Sequence, residues 1–404
     1  MENAKNSIVS DSEVTAQTAL MWKYNPIPDF PEPYPEYKSD YEKYDGGEII
    51  AARVRGKKHK HEGANCDDWY DFARLGDWVI AVVSDGAGSK PLSRIGARVS
   101  CEAVAASLKK EFSAVKEQYP DIKSDLSRDF SDPAFTSVCQ RLAQLVRGSF
   151  EVAYSAVEGA YMIRSASSEF EEILGRRAEI KDYSATLLAA VIIPVSNKEH
   201  FVISVQIGDG MIASFNKDAP FGEALRILGN ADSGSFAGET EFLVSEQARS
   251  VGSLCGRTKI QRGRISSLML MTDGAADDYY PNNPQLLRLY TDLLLNGIID
   301  FPSEAAEKIG GEITPSPVTY PWVNDSSASF SLQYAKNVMA ENNIGIEELW
   351  ENRFGGIVIN SSLNAYGISN GETKAERLSV WLDNYVERGS FDDRTLFIIN
   401  TSEK

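Results

Sequence analysis

Six short apolar runs rich in β-branched residues punctuate this chain, at positions 49–54, 78–83, 186–193, 201–207, 265–271 and 395–399. Runs of this length suit buried strands better than helices. Between the second and third, two long segments change to helical spacing. One carries Ile95, Val99, Ala103 and Ala106, the other Phe135, Val138, Leu142 and Leu145, and each spacing predicts a helix with one face on the sheets. A later helix is expected over 375–386, with Leu378, Trp381, Leu382 and Tyr385 on one side. The chain therefore reads as a mixed α+β fold whose strands and long helices belong to one core.

The 404 residues suffice for one large domain or two ordinary ones, and a hydrophobic fraction of 43% supports a sizeable core. Residues 1–47 contain Pro26, Pro28, Pro31, Pro33 and Pro35 among tyrosines and acids, which excludes helix and central strand. They read as an N-terminal tail, either a flexible linker or a wrap onto the domain through its aromatics. Residues 48–404 read as the domain itself, with an elaboration inserted at about 279–372, where prolines at 315, 317 and 321 and a Gly/Asn/Ser-rich stretch interrupt the pattern.

The formal net charge is −17, which argues against nucleic-acid and anionic-membrane partners, because both favour a basic surface. No apolar run reaches the length of about 18 residues needed to span a bilayer, and the N-terminal residues lack a signal-peptide pattern, so a cytoplasmic protein is expected. Cys66, Cys101, Cys139 and Cys255 have no CxxC spacing, which favours reduced thiols.

The chemistry is concentrated where apolar runs meet aspartate. AVVSDGAGS places Asp85 and Gly86 after one run, SVQIGDGMI places Asp209 and Gly210 after another, and LMLMTDGAADD places Asp273 and Gly274 after a third; Asp392 and Asp393 precede the last run in SFDDRTLFII. A single Asp-Gly is a common turn. Four acidic sites at strand ends, brought together, would repel one another and raise each other's pKa unless a cation neutralised them. An all-oxygen donor set selects magnesium or manganese over zinc, and water on such an ion is a nucleophile that needs no serine or cysteine side chain. Motifs for other nucleophiles are missing: there is no GxSxG elbow, no HCx5R loop and no GxxxxGK[ST] P-loop. The glycine-rich turn at 86–89 serves either an anion, through its backbone N–H groups, or close packing. Upstream, RVRGKKHKH at 53–61 is the most basic stretch and leads at once to Asn65, Cys66, Asp67 and Asp68. Its cations suit a phosphate, and the two aspartates suit hydrogen bonds to water on a metal.

In order, Gly56-Lys57-Lys58-His59…Gly63-Ala64-Asn65-Cys66-Asp67-Asp68, SDGAGS, SATLLAAVI, IGDG, MTDGAAD and DDRT resemble the motifs of the PP2C family of metal-dependent protein phosphatases, in its bacterial branch. The resemblance runs from about residue 49 to 400. It implies a four-layer α-β-β-α sandwich of two antiparallel sheets flanked by helices. It also implies two Mn2+ or Mg2+ ions, with Asp85 bridging them, the Gly86 carbonyl completing one, and Asp273 and Asp392 holding the other. Asp209 and Asp277 match the positions of a third, weaker ion. Asp68 would orient metal-bound water as a catalytic residue beside Asp85, with Asp67 and Asp393 in supporting positions. The implied activity is hydrolysis of phosphoserine or phosphothreonine in a protein substrate, reversing a cognate kinase of a bacterial signalling pathway. Many members carry a phosphate-binding arginine in the first motif. This chain has His59, Lys60 and His61 there, and His59 is the residue that motif alignment selects for the phosphate. The interval from Asp273 to Asp392 is longer than the family's. Two rivals remain: a catalytically silent module that binds a phosphoprotein or regulatory partner in the same cleft, disfavoured because Asp85, Asp273 and Asp392 are all kept, and a metal-dependent nuclease, disfavoured by the acidic balance.

Overall fold

The computed structural model describes residues 22–29, 32–229, 240–295, 297–300, 373–384 and 391–402. Most of the elaboration expected at 279–372, from residue 301 on, lies outside the described residues, as do residues 1–21 of the expected tail and the end of the helix expected over 375–386.

Eleven strands are described: β1 (Tyr37–Tyr44), β2 (Gly47–Val54), β3 (Trp69–Leu75), β4 (Trp78–Ser84), β5 (Leu187–Pro194), β6 (His200–Ile207), β7 (Met211–Phe215), β8 (Leu225–Ile227), β9 (Lys259–Gly263), β10 (Ser267–Met271) and β11 (Arg394–Thr401). They form a six-stranded sheet in the order β1-β2-β11-β10-β7-β8 and a five-stranded sheet in the order β3-β4-β5-β6-β9. Every pairing is antiparallel. The helices used below are α1 (Lys57–Glu62), α2 (Ser93–Gln118), α3 (Pro133–Ser165), α4 (Asn282–Leu295) and α5 (Lys374–Asn384).

Period-two alternation divides each central strand between two cores. Ile49 and Ala51 of β2, Val79, Ala81 and Val83 of β4, Leu268 and Leu270 of β10, and Phe397 and Ile399 of β11 meet between the sheets. Their alternates face outward. Trp78, Ile80 and Val82 pack under α2 and α3, while Ile50, Ala52, Leu396 and Ile398 pack under α4 and α5. Both faces of these strands are buried, so they read as continuous apolar runs. The expected α-β-β-α sandwich is the observed architecture. Among the described residues no helix is long and apolar enough to cross a membrane.

Two details differ from expectation. The expected tail boundary at residue 47 falls inside a hairpin, because β1 pairs with β2 along all of its length, from Tyr37 opposite Val54 to Tyr44 opposite Gly47. The prolines stop at Pro35, and Lys38, Asp40, Glu42 and Lys43 then give the strand the charged character that protects a sheet edge. The buried face of α2 is also rotated. Ile95, Cys101, Val104, Leu108, Phe112 and Val115 are buried, whereas Val99 and Ala103 are half-buried and Ala106 is exposed. Alanines lie on several sides of this helix, so they mark its phase poorly.

Phe397 lies in the middle of the inter-sheet core, with Phe72 at 5.5 Å and Tyr70 at 5.9 Å between ring centroids. Phe397→Ala is expected to lower unfolding stability by about 3–5 kcal/mol, measured by urea denaturation at constant m.

Candidate metal centre

Antiparallel pairing sets the acidic turns at one end of the sandwich. Asp85 follows β4, Asp209 lies in the turn from β6 to β7, and Asp273 follows β10; Asp392 and Asp393 precede β11, while Asp67 and Asp68 precede β3. The backbones approach closely there. A Cβ on Gly86 would stand 2.7 Å from the Asp67 carbonyl oxygen, and one on Gly274 would stand 2.0 Å from that of Asp393, so neither position accepts a side chain. Asp85 is tied in both directions to Thr186, the residue before β5: its N–H donates to Thr186 Oγ1 and its carbonyl accepts from Thr186 N–H, each at 2.8 Å.

Carboxylate oxygens of Asp85, Asp209 and Asp273 all lie within 4.8 Å of one another. Asp392 belongs to a second trio with His59 and Asp393, again within 4.8 Å. The trio that holds Asp85 and Asp273 thus includes Asp209, placed by resemblance at a third, weaker ion, while Asp392 stands in the other trio, toward the first motif. Asp277 lies beside this group at the surface, where partial desolvation of its carboxyl and then the charge of Asp209 raise its pKa.

Asp68 is fully buried. Its Oδ2 accepts from Thr272 Oγ1 at 2.8 Å and from Thr395 Oγ1 at 2.6 Å, and Thr272 Oγ1 accepts in turn from Thr395 N–H at 3.0 Å. Its Oδ1 is buried with no donor, as is Oδ1 of Asp209. Burial raises Asp68 to about 7, with the charge of Asp393 adding to it. Burial also raises Asp273 to about 8, with Asp209, Asp68 and Asp392 contributing repulsion. Asp85 is pushed well above the carboxylate range by burial and then by Asp273 and Asp68. The donor set is hard oxygen throughout, with two orphaned buried oxygens and mutual repulsion to be offset. These features fit a magnesium- or manganese-class cation.

Asp393 has a different task. Its Oδ1 accepts from Gly56 N–H at 2.6 Å, and its Oδ2 accepts from Asp67 N–H at 2.5 Å and from His59 Nδ1 at 2.8 Å. Burial opposes its charge, but His59 and these two backbone donors hold its pKa below the usual carboxylate range. Burial likewise opposes the charge on His59, yet Asp393 outweighs it and the imidazole rises to about 10. With Nδ1 on Asp393, the Nε2 edge of the ring faces the glycine-rich turn, 4.0 Å from where a Cβ on Gly88 would stand. Asp67 is buried and raised to about 7, by burial first and Asp393 second.

Sequence reasoning passed over Thr186, Thr272, Thr395 and Gln206. The three threonines lie inside the quoted motifs, so their signal was present. Gln206 Nε2 donates to the carbonyls of Gly208 at 3.0 Å and Gly210 at 2.6 Å, bracketing Asp209, and only the folded turn reveals that role.

Without divalent cations, raised carboxyl pKa values make the folded state bind more protons than the unfolded chain between about pH 4 and about pH 8. Stability then falls as pH rises through that window. The metal-free protein is expected to melt at a higher temperature at about pH 5.5 than at about pH 8, and saturating Mn2+ should remove most of the difference. Differential scanning calorimetry checks this, and equal midpoints without metal would contradict it.

The sequence profile of the family described as Protein phosphatase 2C matches residues 55–297. No curated protein matches the chain. Among solved structures, the serine/threonine phosphatase Stp1 from Staphylococcus aureus is similar at 10% identity, over 93% of this chain and 100% of that one, with a TM-score of 0.36. The serine-threonine phosphatase 2C from Toxoplasma gondii is similar at 12% identity, over 91% and 100%, with a TM-score of 0.38. Scores of this size add nothing to the profile match. That match spans more than half of the chain and includes the first motif and the turns bearing Asp85, Asp209 and Asp273, and on it the chain belongs to the protein phosphatase 2C family.

Proposed function

We propose that this chain hydrolyses phosphoserine and phosphothreonine in a protein substrate, in the cytoplasm and opposite a cognate kinase of a bacterial signalling pathway. The convergence of Asp85, Asp209 and Asp273, with carboxyls that repel one another, is the observation that carries this reading. Asp85, Asp273, Asp392 and the Gly86 carbonyl would hold two Mn2+ or Mg2+ ions, and Asp209 and Asp277 a third. When bound, such ions lower the pKa of a water and offset charge growing on the phosphoryl oxygens.

The protein's own groups do the rest. Asp68, fixed through Oδ2 by two threonine hydroxyls and standing against the Asp85 carboxyl, would accept a proton from an attacking water through Oδ1. His59, kept cationic by Asp393, would donate from Nε2 to a phosphate oxygen, a role that an arginine fills in many relatives. Asp67 supports this corner through its backbone N–H on Asp393 and its buried carboxyl.

With Mn2+, the purified chain is expected to release phosphate from p-nitrophenyl phosphate and from a phosphothreonine peptide. Asp85→Asn or Asp273→Asn should lower kcat by about a hundredfold or more, measured by malachite-green phosphate release. His59→Ala should lower kcat/KM by about ten- to a hundredfold, mainly through KM, the loss expected for one charge-assisted hydrogen bond. A wild type that binds Mn2+ and Mg2+ yet releases no phosphate would overturn the enzymatic reading in favour of a silent phosphoprotein-binding module.

A further inference from the structure

α1 is six residues long and carries His59, and a helix this short does not hold itself together in water. Its C-terminal carbonyls are claimed from outside the helix. The His59 carbonyl accepts from Ala64 N–H at 2.9 Å and from Arg55 Nη2 at 2.8 Å. The Lys60 carbonyl accepts from Asn25 N–H at 2.7 Å, and the His61 carbonyl from Asn25 Nδ2. Arg55 closes the loop by donating from Nη1 to the Asn25 carbonyl at 3.0 Å.

Asn25 therefore uses its backbone N–H, its carbonyl and its side-chain amide on α1 and on the arginine that holds α1. Its neighbours act on the same helix. Lys23 N–H donates to His61 Nδ1 at 3.0 Å, and the Trp22 ring lies 5.3 Å from His61 and 4.9 Å from Phe391, next to Asp392. Further along, Tyr34 N–H donates to Asn65 Oδ1 at 3.0 Å, two residues before Asp67. The same stretch thus borders both ends of the first motif.

We propose that residues 22–29 and 32–36, read from sequence as part of a tail, are a working part of the phosphate-gripping corner, and that Asn25 is a positioning residue that sets α1 and so places His59. The inference rests on the reading of His59 as the phosphate ligand. It separates Asn25 from the metal cluster: loosening its bonds to α1 moves the grip on phosphate and leaves ion binding alone.

The test uses the full chain with Asn25→Ala and Asn25→Asp, the second of nearly the same shape without the Nδ2 donor. Both should raise KM for p-nitrophenyl phosphate about three- to tenfold, with kcat and Mn2+ affinity within about twofold of wild type. Amide hydrogen exchange over residues 57–62 should accelerate by a similar factor while exchange in β4 and β10 is unchanged. Added to His59→Ala, Asn25→Ala should change KM no further, because the two act through one group. Unchanged exchange in α1, or accelerated exchange with KM unmoved, overturns the positioning role, as does additivity with His59→Ala. If His59→Ala itself leaves KM unchanged, the His59 reading fails, and exchange in α1 alone then decides whether Asn25 positions the helix.

Discussion

The carboxylate of Asp393 joins the two ends of the sequence. It sits at the start of the last strand, buried, and receives the N–H of Gly56, the N–H of Asp67 and the Nδ1 edge of His59. Those donors enclose α1 and the loop after it, so one side chain fixes the exit of β2, the entry of β3 and the ring between them. The β2–β11 pairing, from Arg394 opposite Val54 to Thr401 opposite Gly47, brings Asp393 into reach. A buried anion is tolerated only when fully hydrogen-bonded or paired, and this one has both kinds of partner.

Around that knot the protein gathers carboxyls that it does not neutralise. Asp68, Asp85, Asp209 and Asp273 come together because four turns lie at one end of two facing sheets, and the apolar core between the sheets keeps them there. In Asp68, Asp85 and Asp273, burial and then the charge of neighbouring carboxyls favour protonation, which is the signature of a site suited to positive charge. The cation His59 stands at one side of this group, held by Asp393, whose charge also raises the pKa of Asp67 and Asp68. Stability given up at the cluster is supplied by the core, a common division at functional sites.

How much of this was legible depended on the physical origin of each element. Central strands such as β4, β5 and β11 are buried on both faces and so appear as apolar runs. The sheet-edge strands β1, β3, β8 and β9 mix charged or polar residues with apolar ones, so periodicity left them unmarked, and β7 went unmarked as well. Asp85, Asp209, Asp273 and Asp392 were legible because each interrupts an apolar strand with a turn. Which three of them meet was not, because it depends on the register of β4, β6 and β10 in different sheets. The Asp393 knot spans more than 300 positions, and no local pattern encodes a contact at that range. Asn25 was hidden in a proline-rich stretch whose composition suggests a linker, although its hydrogen bonds make it part of the fold.

The central claim is that the convergent carboxylates at the strand ends are a divalent-metal centre. An anomalous difference map from crystals soaked in MnCl2 tests it most directly. The account predicts manganese peaks touching Asp85 and Asp273, at the end of the sandwich where β4 and β10 finish. Peaks confined to other carboxylates, or none at this cluster at saturating manganese, would contradict it.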